Sequence, residues 1–141
     1  MRLALAQIDS VVGDLEGNRD RIITRLAQAR NAGADLVLFP ELAVTGYPPE
    51  DLLLRPGFIQ AAERTVQEIA AETEGLVALV GAPHFDGDLF NACAVCSGGS
   101  NISIMIAERT GLSASFDPSF GFSRWSRTGT STSIFGVCSA R

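Results

Sequence analysis

Four consecutive apolar residues, Leu36-Val37-Leu38-Phe39, stop abruptly at Pro40. An apolar run this short, bounded by proline, reads as a central strand buried on both faces, because buried helices run much longer. Four of the six prolines, together with Gly46, fall between Pro40 and Pro56. Proline lacks an N–H and fixes φ, so this segment cannot be regular throughout and predicts a long ordered loop leaving the carboxyl end of the strand. A buried strand followed by such a loop restricts the chain to a layered α/β architecture, with helices packed on a sheet.

The flanking sequence fits that restriction. Leu3, Leu5 and Gln7 alternate with Ala4, Ala6 and Ile8, so both faces of a first strand are largely apolar, as a strand between layers requires. The spacing predicts a helix over 18–31, with Ile22, Leu26 and Ala29 as its apolar stripe and Arg19, Arg21, Arg25 and Arg30 on the wet side. Asn18 is the expected cap at its start and Gly33 at its end. A second helix is expected over 57–73, striped by Phe58, Ala62, Val66, Ile69 and Ala70, with further strands over 76–80 and 89–95. The order is β-α-β-α-β-β.

The chain has 141 residues, enough for one domain with a core, and a net charge of −5. That charge argues against nucleic acid or an anionic membrane surface as a partner. No apolar run reaches the eighteen or so residues of a membrane span, and the N-terminus lacks the apolar core and cleavage site of a secretion signal. A cytoplasmic protein is expected. The three cysteines, Cys93, Cys96 and Cys138, do not form a disulfide framework on this reading. All eleven basic residues are Arg; there is no Lys.

The character changes near residue 100. Serine occurs three times in the first hundred residues and nine times in the last forty-one. The first part carries 14 acids and 7 Arg, the second 2 acids and 4 Arg. Residues 1–100 are therefore read as one partial domain and 101–141 as an atypical Ser/Arg-rich tail. The tail is either disordered or a different reading frame that replaces the sequence proper to the domain. The second possibility predicts a truncated, marginally stable and aggregation-prone product.

The chemistry concentrates at residues 36–58. In open α/β sheets, ligands gather beyond the carboxyl ends of the strands, and there Glu41 directly follows the strand. An apolar approach desolvates a carboxylate and raises its pKa, which suits a general base near neutral pH. On position alone, a Glu that caps the next loop or pairs with an Arg fits equally well.

The block FPELAVTGYPPEDLLLRPGF, with MRLALAQIDSVVGDLEGNRDRI before it and VGAPHFDGDLFNACAV after it, resembles the glutamine-hydrolysing amidase domain of NAD synthetases, within the carbon–nitrogen hydrolase (nitrilase) family. The resemblance covers about residues 1–98. It implies a four-layer α-β-β-α sandwich, incomplete in this chain, and a Glu-Lys-Cys triad. In that triad the Glu takes the thiol proton, the thiolate attacks the side-chain amide carbon of glutamine, and the Lys stabilises the oxyanion. Ammonia then passes to a synthetase domain that uses ATP and deamido-NAD; the amidase domain itself needs no cofactor and no metal. Family members are typically homo-oligomeric. Carried over residue by residue, Glu41 is the general base and Tyr47 lines the glutamine pocket.

The sequence departs from the family at two points. Arg109 stands in the region of the family Lys, but a planar guanidinium is a poor replacement for a compact ammonium. Cys138 follows an apolar run, Ile134 to Val137, as a nucleophile at a strand end does, yet Ser139, Ala140 and Arg141 follow it where the family has acids. Cys138 is thus either the nucleophile or a chance cysteine. Cys93 and Cys96 are three apart on an expected strand, so they face opposite ways and read as buried thiols. His84 reads as structural or loop-lining, and Gly98-Gly99 as a turn. The alternatives to a glutaminase are a stand-alone amidase of the wider family and a non-catalytic domain that serves in assembly.

Overall fold

The computed structural model describes residues 1–109. Eight elements follow in order: β1 (Leu3–Leu5), α1 (Leu15–Asn31), β2 (Leu36–Leu38), a 3-10 turn (Glu50–Leu54), α2 (Pro56–Ala71), β3 (Val77–Phe85), β4 (Leu89–Ser97) and β5 (Ser100–Arg109). The strands form one sheet in sequential order. β1, β2 and β3 run parallel, joined by helical crossovers, while β3, β4 and β5 form an antiparallel meander. The sheet continues past the compositional change at residue 100 through the whole of β5.

Both helices lie on one face of the sheet. Val37, Ala78, Val80, Ala82, Ala92, Ala94 and Cys96 are buried there against Ile22, Leu26 and Ala29 of α1 and Ala62, Val66, Ile69 and Ala70 of α2. Five of those seven sheet residues are Ala or Cys-sized, which lets the helices approach closely. The alternating residues, Leu3, Leu5, Leu36, Leu38, Val77, Leu79, Cys93 and Val95, point to the opposite face and stay only partly buried. Among the described residues no element covers that face. The expectation of strands apolar on both sides holds, and the described residues supply one helical layer and one sheet of the implied sandwich.

Helix ends differ from expectation at one point. Asp14, not Asn18, caps α1: its carboxylate accepts from the Gly17 N–H at 2.9 Å. That bond, and then the one from Arg21, hold the Asp14 carboxyl below its ordinary pKa. Asn18 lies a turn inside, fully buried. The far end is as read: Ala34 N–H bonds Ala29 C=O and Gly33 N–H bonds Arg30 C=O, both at 2.9 Å, with Gly33 at φ +70°. This pair of bonds satisfies carbonyls that the helix end leaves open, and it needs a left-handed residue at Gly33. Gly33→Ala should therefore lower stability by about 1–2 kcal/mol, read from the midpoint of urea unfolding.

α2 starts at Pro56, where proline's fixed φ suits a first helical position; Ala62, Val66, Ile69 and Ala70 of its expected stripe are buried, but in the first turn the buried residue is Ile59 and not the expected Phe58, which is only partly buried. β3 extends to Phe85, beyond the expected 76–80, because β4 pairs with it along its full length. No described helix is long and apolar enough to cross a membrane.

Candidate active site

β2 ends at Leu38, and one more ladder bond, Phe39 N–H to Leu79 C=O at 2.9 Å, carries the chain to the sheet rim. Pro40 has no N–H to continue the ladder, and the backbone turns at once. Leu42 sits in the left-handed region at φ 49°, a conformation that costs a non-glycine residue free energy and persists only where the surroundings enforce it. Here they do: Leu42 C=O accepts from Thr45 N–H at 3.1 Å and Gly46 N–H at 2.9 Å, and Leu42 to Gly46 are all buried. Glu41 is the residue this turn presents.

Three neighbours hold the turn in place. β3 contributes Gly81, whose C=O accepts from Val44 N–H at 3.2 Å. A side chain built on Gly81 would meet Pro40 O at 2.4 Å, Leu42 N at 2.6 Å and the Glu41 Cα at 2.9 Å. The loop backbone thus rests directly on the glycine. From the connector after β1, Ser10 Oγ donates to Ala43 C=O at 3.0 Å and Gly13 N–H to Thr45 C=O at 2.9 Å. From α1, Asn18 Nδ2 donates to Val44 C=O at 3.0 Å and to Val11 C=O at 2.8 Å, while its Oδ1 accepts from Val11 N–H at 2.8 Å.

The Glu41 side chain is half-buried, and its Oε1 accepts a hydrogen bond from Asn91 Nδ2 on β4. From Asn91 onward β4 alternates regularly, with Ala92, Ala94 and Cys96 buried beneath the helices and Asn91, Cys93 and Val95 on the other side. Glu41 therefore stands on the helix-free face of the sheet. Cys93 stands opposite Gly81 in the β3–β4 register, so glycine, thiol and amide line one patch of sheet next to the carboxylate.

Tyr47 shares the loop with Glu41 and is 48% exposed, at a cis bond to Pro48. Cys138 lies outside the described residues. Arg109 is the last residue of β5 and stands opposite Phe90 of β4. Cys93 and Cys96 face opposite ways and are both free. Burial raises both thiols, Cys96 to about 11, so neither is an activated nucleophile. His84 pairs through Nδ1 with Glu63 of α2 at 3.0 Å. That pair lines a cleft of about 560 Å³ between α2 and β3–β5, on the helical face, which touches neither Glu41 nor Tyr47. Among the described residues no group of three or more His, Cys, Asp and Glu side chains could hold a metal ion.

Three residues of this site escape a reading by motif: Asn91, Gly81 and Asn18. Each leaves a signal. Asn91 is the one amide in an otherwise apolar Leu89-to-Cys96 run, and Gly81 is a glycine in a strand interior, where close backbone approach is a common cause. Asn18 is polar and sits on the same helical stripe as Ile22, Leu26 and Ala29.

Comparison with known proteins gives three findings. The family described as carbon-nitrogen hydrolase matches residues 2–117. A glutamine-dependent NAD(+) synthetase of Xanthomonas campestris pv. campestris is 54% identical over 97 residues, covering 67% of this chain and 18% of that protein. Among solved structures, the glutamine-dependent NAD+ synthetase of Acinetobacter baumannii superposes with a TM-score of 0.72 at 30% identity, over 82% of this chain and 22% of that one. An amidase from Nesterenkonia sp. does so with a TM-score of 0.64 at 25% identity, over 74% of this chain and 41% of that one. The chain thus spans 18% of the length of the Xanthomonas relative.

Proposed function

Because this chain belongs to the carbon-nitrogen hydrolase family, we propose that its Glu41 is the general base of a glutaminase site, the amidase half of a glutamine-dependent NAD synthetase. The observation that carries this reading is the placement of Glu41. It is the first acid beyond the carboxyl end of a central parallel strand, in a turn fixed by Leu42, Gly81 and Asn18 and with one oxygen held by Asn91. Catalytic groups in α/β sheets occupy that position because the loops there converge while the sheet holds them rigid.

The chemistry follows from the groups. A thiol near pKa 8.5 is mostly protonated at neutral pH. A carboxylate beside it removes the proton as the sulfur attacks the glutamine side-chain amide carbon, and the same carboxyl returns that proton to the departing ammonia. In this chain Cys138 is the proposed nucleophile and Tyr47 the proposed wall of the glutamine pocket. The ammonia feeds a synthetase domain that consumes ATP and deamido-NAD; that domain is the proposed partner, and the cytoplasm the proposed compartment. Oligomerisation through identical subunits belongs to the same proposal.

A second reading has its own observation. The chain contains no Lys, so the compact cation that neutralises the oxyanion in the family is missing. Losing one such donor costs about two to three orders of magnitude in rate. That absence favours a domain that keeps the fold for assembly and does not turn over.

Ammonia release from glutamine by the full chain separates the readings. A catalytic chain releases ammonia, and Glu41→Gln lowers the rate by about two to four orders of magnitude. Release that survives Glu41→Gln removes Glu41 from the mechanism, and no release from the unaltered chain supports the assembly reading.

A further inference from the structure

We propose that Asn91 is a positioning residue for Glu41: its side-chain amide holds one carboxylate oxygen and so helps to set the orientation of the carboxylate. The catalytic sense of this rests on the glutaminase reading, while the coupling between the two side chains does not.

The backbone under Glu41 is fixed by Gly81, by the left-handed turn at Leu42 and by the bonds to Ser10, Gly13 and Asn18. These bonds act on the backbone, whereas the Glu41 side chain has three rotatable bonds that need holding by contacts of its own. The bond from Asn91 Nδ2 to Glu41 Oε1 is such a contact. An amide N–H donating to a carboxylate is a charge-assisted bond, stronger and more directional than one between neutral groups.

The strand geometry aims the amide. Asn91 stands opposite Pro83 in β3 and Glu108 in β5. Immediately after it the β4–β5 register slips: Ala92 stands opposite Ile106, so β5 has one more residue than β4 across that step. A bulge of this kind twists the ladder locally and re-aims the side chains beside it, which is why bulges recur next to active sites. It falls at the strand end nearest the Glu41 turn, across from Pro83 of β3.

A donor to the ionised carboxylate favours that form, so removing it changes a measurable property. Other groups lie along the same elements. Cys93 lies two residues along β4 on the same face, Tyr47 is on Glu41's own loop, and Glu108 and Arg109 stand opposite Asn91 and Phe90 by register. β3 offers only Gly81 and Pro83 near the turn, its His84 being engaged with Glu63 on the helical face.

The test is the pH titration of the Glu41 side-chain carboxyl carbon by NMR in the full chain, in the parent and in Asn91→Leu and Asn91→Asp. Leu has nearly the shape of Asn without a donor; Asp has its shape with a charge. The expected result is a titration midpoint higher by about one pH unit in Asn91→Leu and higher again in Asn91→Asp, where two carboxyls compete for one proton. A midpoint unmoved in a folded Asn91→Leu overturns the proposal. If Asn91→Leu does not fold, Asn91→Asp alone decides it by the same criterion; unfolding of both makes Asn91 structural and also overturns it. The titration needs no turnover, so a chain that releases no ammonia leaves this result standing, and an unmoved midpoint leaves the glutaminase reading standing.

Discussion

Asn18→Ala is expected to destabilise the protein by on the order of 3 kcal/mol and to loosen the Glu41 turn at the same time. Asn18 is fully buried and uses its amide on both sides, bonding Val11 N–H, Val11 C=O and Val44 C=O at 2.8, 2.8 and 3.0 Å. Truncation strands the Val44 C=O in the interior and takes the partner from the two part-buried Val11 groups. Each stranded group costs about 1–3 kcal/mol, set against relaxation that recovers part of it. The measurement is urea unfolding, paired with amide hydrogen exchange. Faster exchange at Val44, Thr45 and Gly46, with α2 unchanged, is the expected pattern. A loss below about 1 kcal/mol, or exchange that rises uniformly, would contradict the claim that this side chain ties α1 to the turn.

Gly81→Ala is the second large effect, at about 3 kcal/mol. The added methyl would lie 2.4 Å from Pro40 O, 2.6 Å from Leu42 N and 2.9 Å from the Glu41 Cα. All three obstacles are backbone, so no side-chain rotation relieves the clash. Either the turn lifts off the sheet or β3 shifts, and β3 is held on both sides, by β2 and by β4. The turn should move, with loss of the Val44 N–H to Gly81 C=O bond and of the Asn91–Glu41 bond. Thermal unfolding gives the stability change, and the Asn91 side-chain amide resonances report the lost bond. Full stability with unchanged Asn91 resonances would show that the loop does not rest on Gly81. Alanine at a strand position without such a neighbour, Ala78 for example, is already tolerated in the same sheet.

Much of the fold was legible because hydrophobic periodicity reports burial. Ile22, Leu26 and Ala29 recur at helical spacing and are all buried. The apolar run at 36–39 did prove to be a central strand flanked on both sides. What misled was chemistry that several positions share. Asp14 and Asn18 are both good caps, and the choice between them depends on where Val44 lies, 26 residues away. The length of β3 was hidden for the same kind of reason, since Gly81-Ala82-Pro83 has little strand propensity of its own and is extended by its partner β4. At the site, Glu41 was visible because proline and strand end announce it. Asn91 shows only as the lone amide of an apolar run; its role stays hidden, since its partner is 50 residues distant.

The partly buried leucines and valines opposite the helices have a consequence for how proteins of this kind come into being. The longer relatives, of which this chain spans about a fifth, are made residue by residue, at roughly 5–20 residues per second. The helices of this segment can settle on their side of the sheet as soon as β4 and β5 pair. The other side, with Leu36, Leu38, Leu79 and Val95 only partly buried, stays open until something packs on it. During that interval the nascent chain offers a sticky plane to any chaperone or sister molecule nearby. It is also the side on which Glu41 stands, so whatever packs on that face also sets the surroundings of the carboxylate.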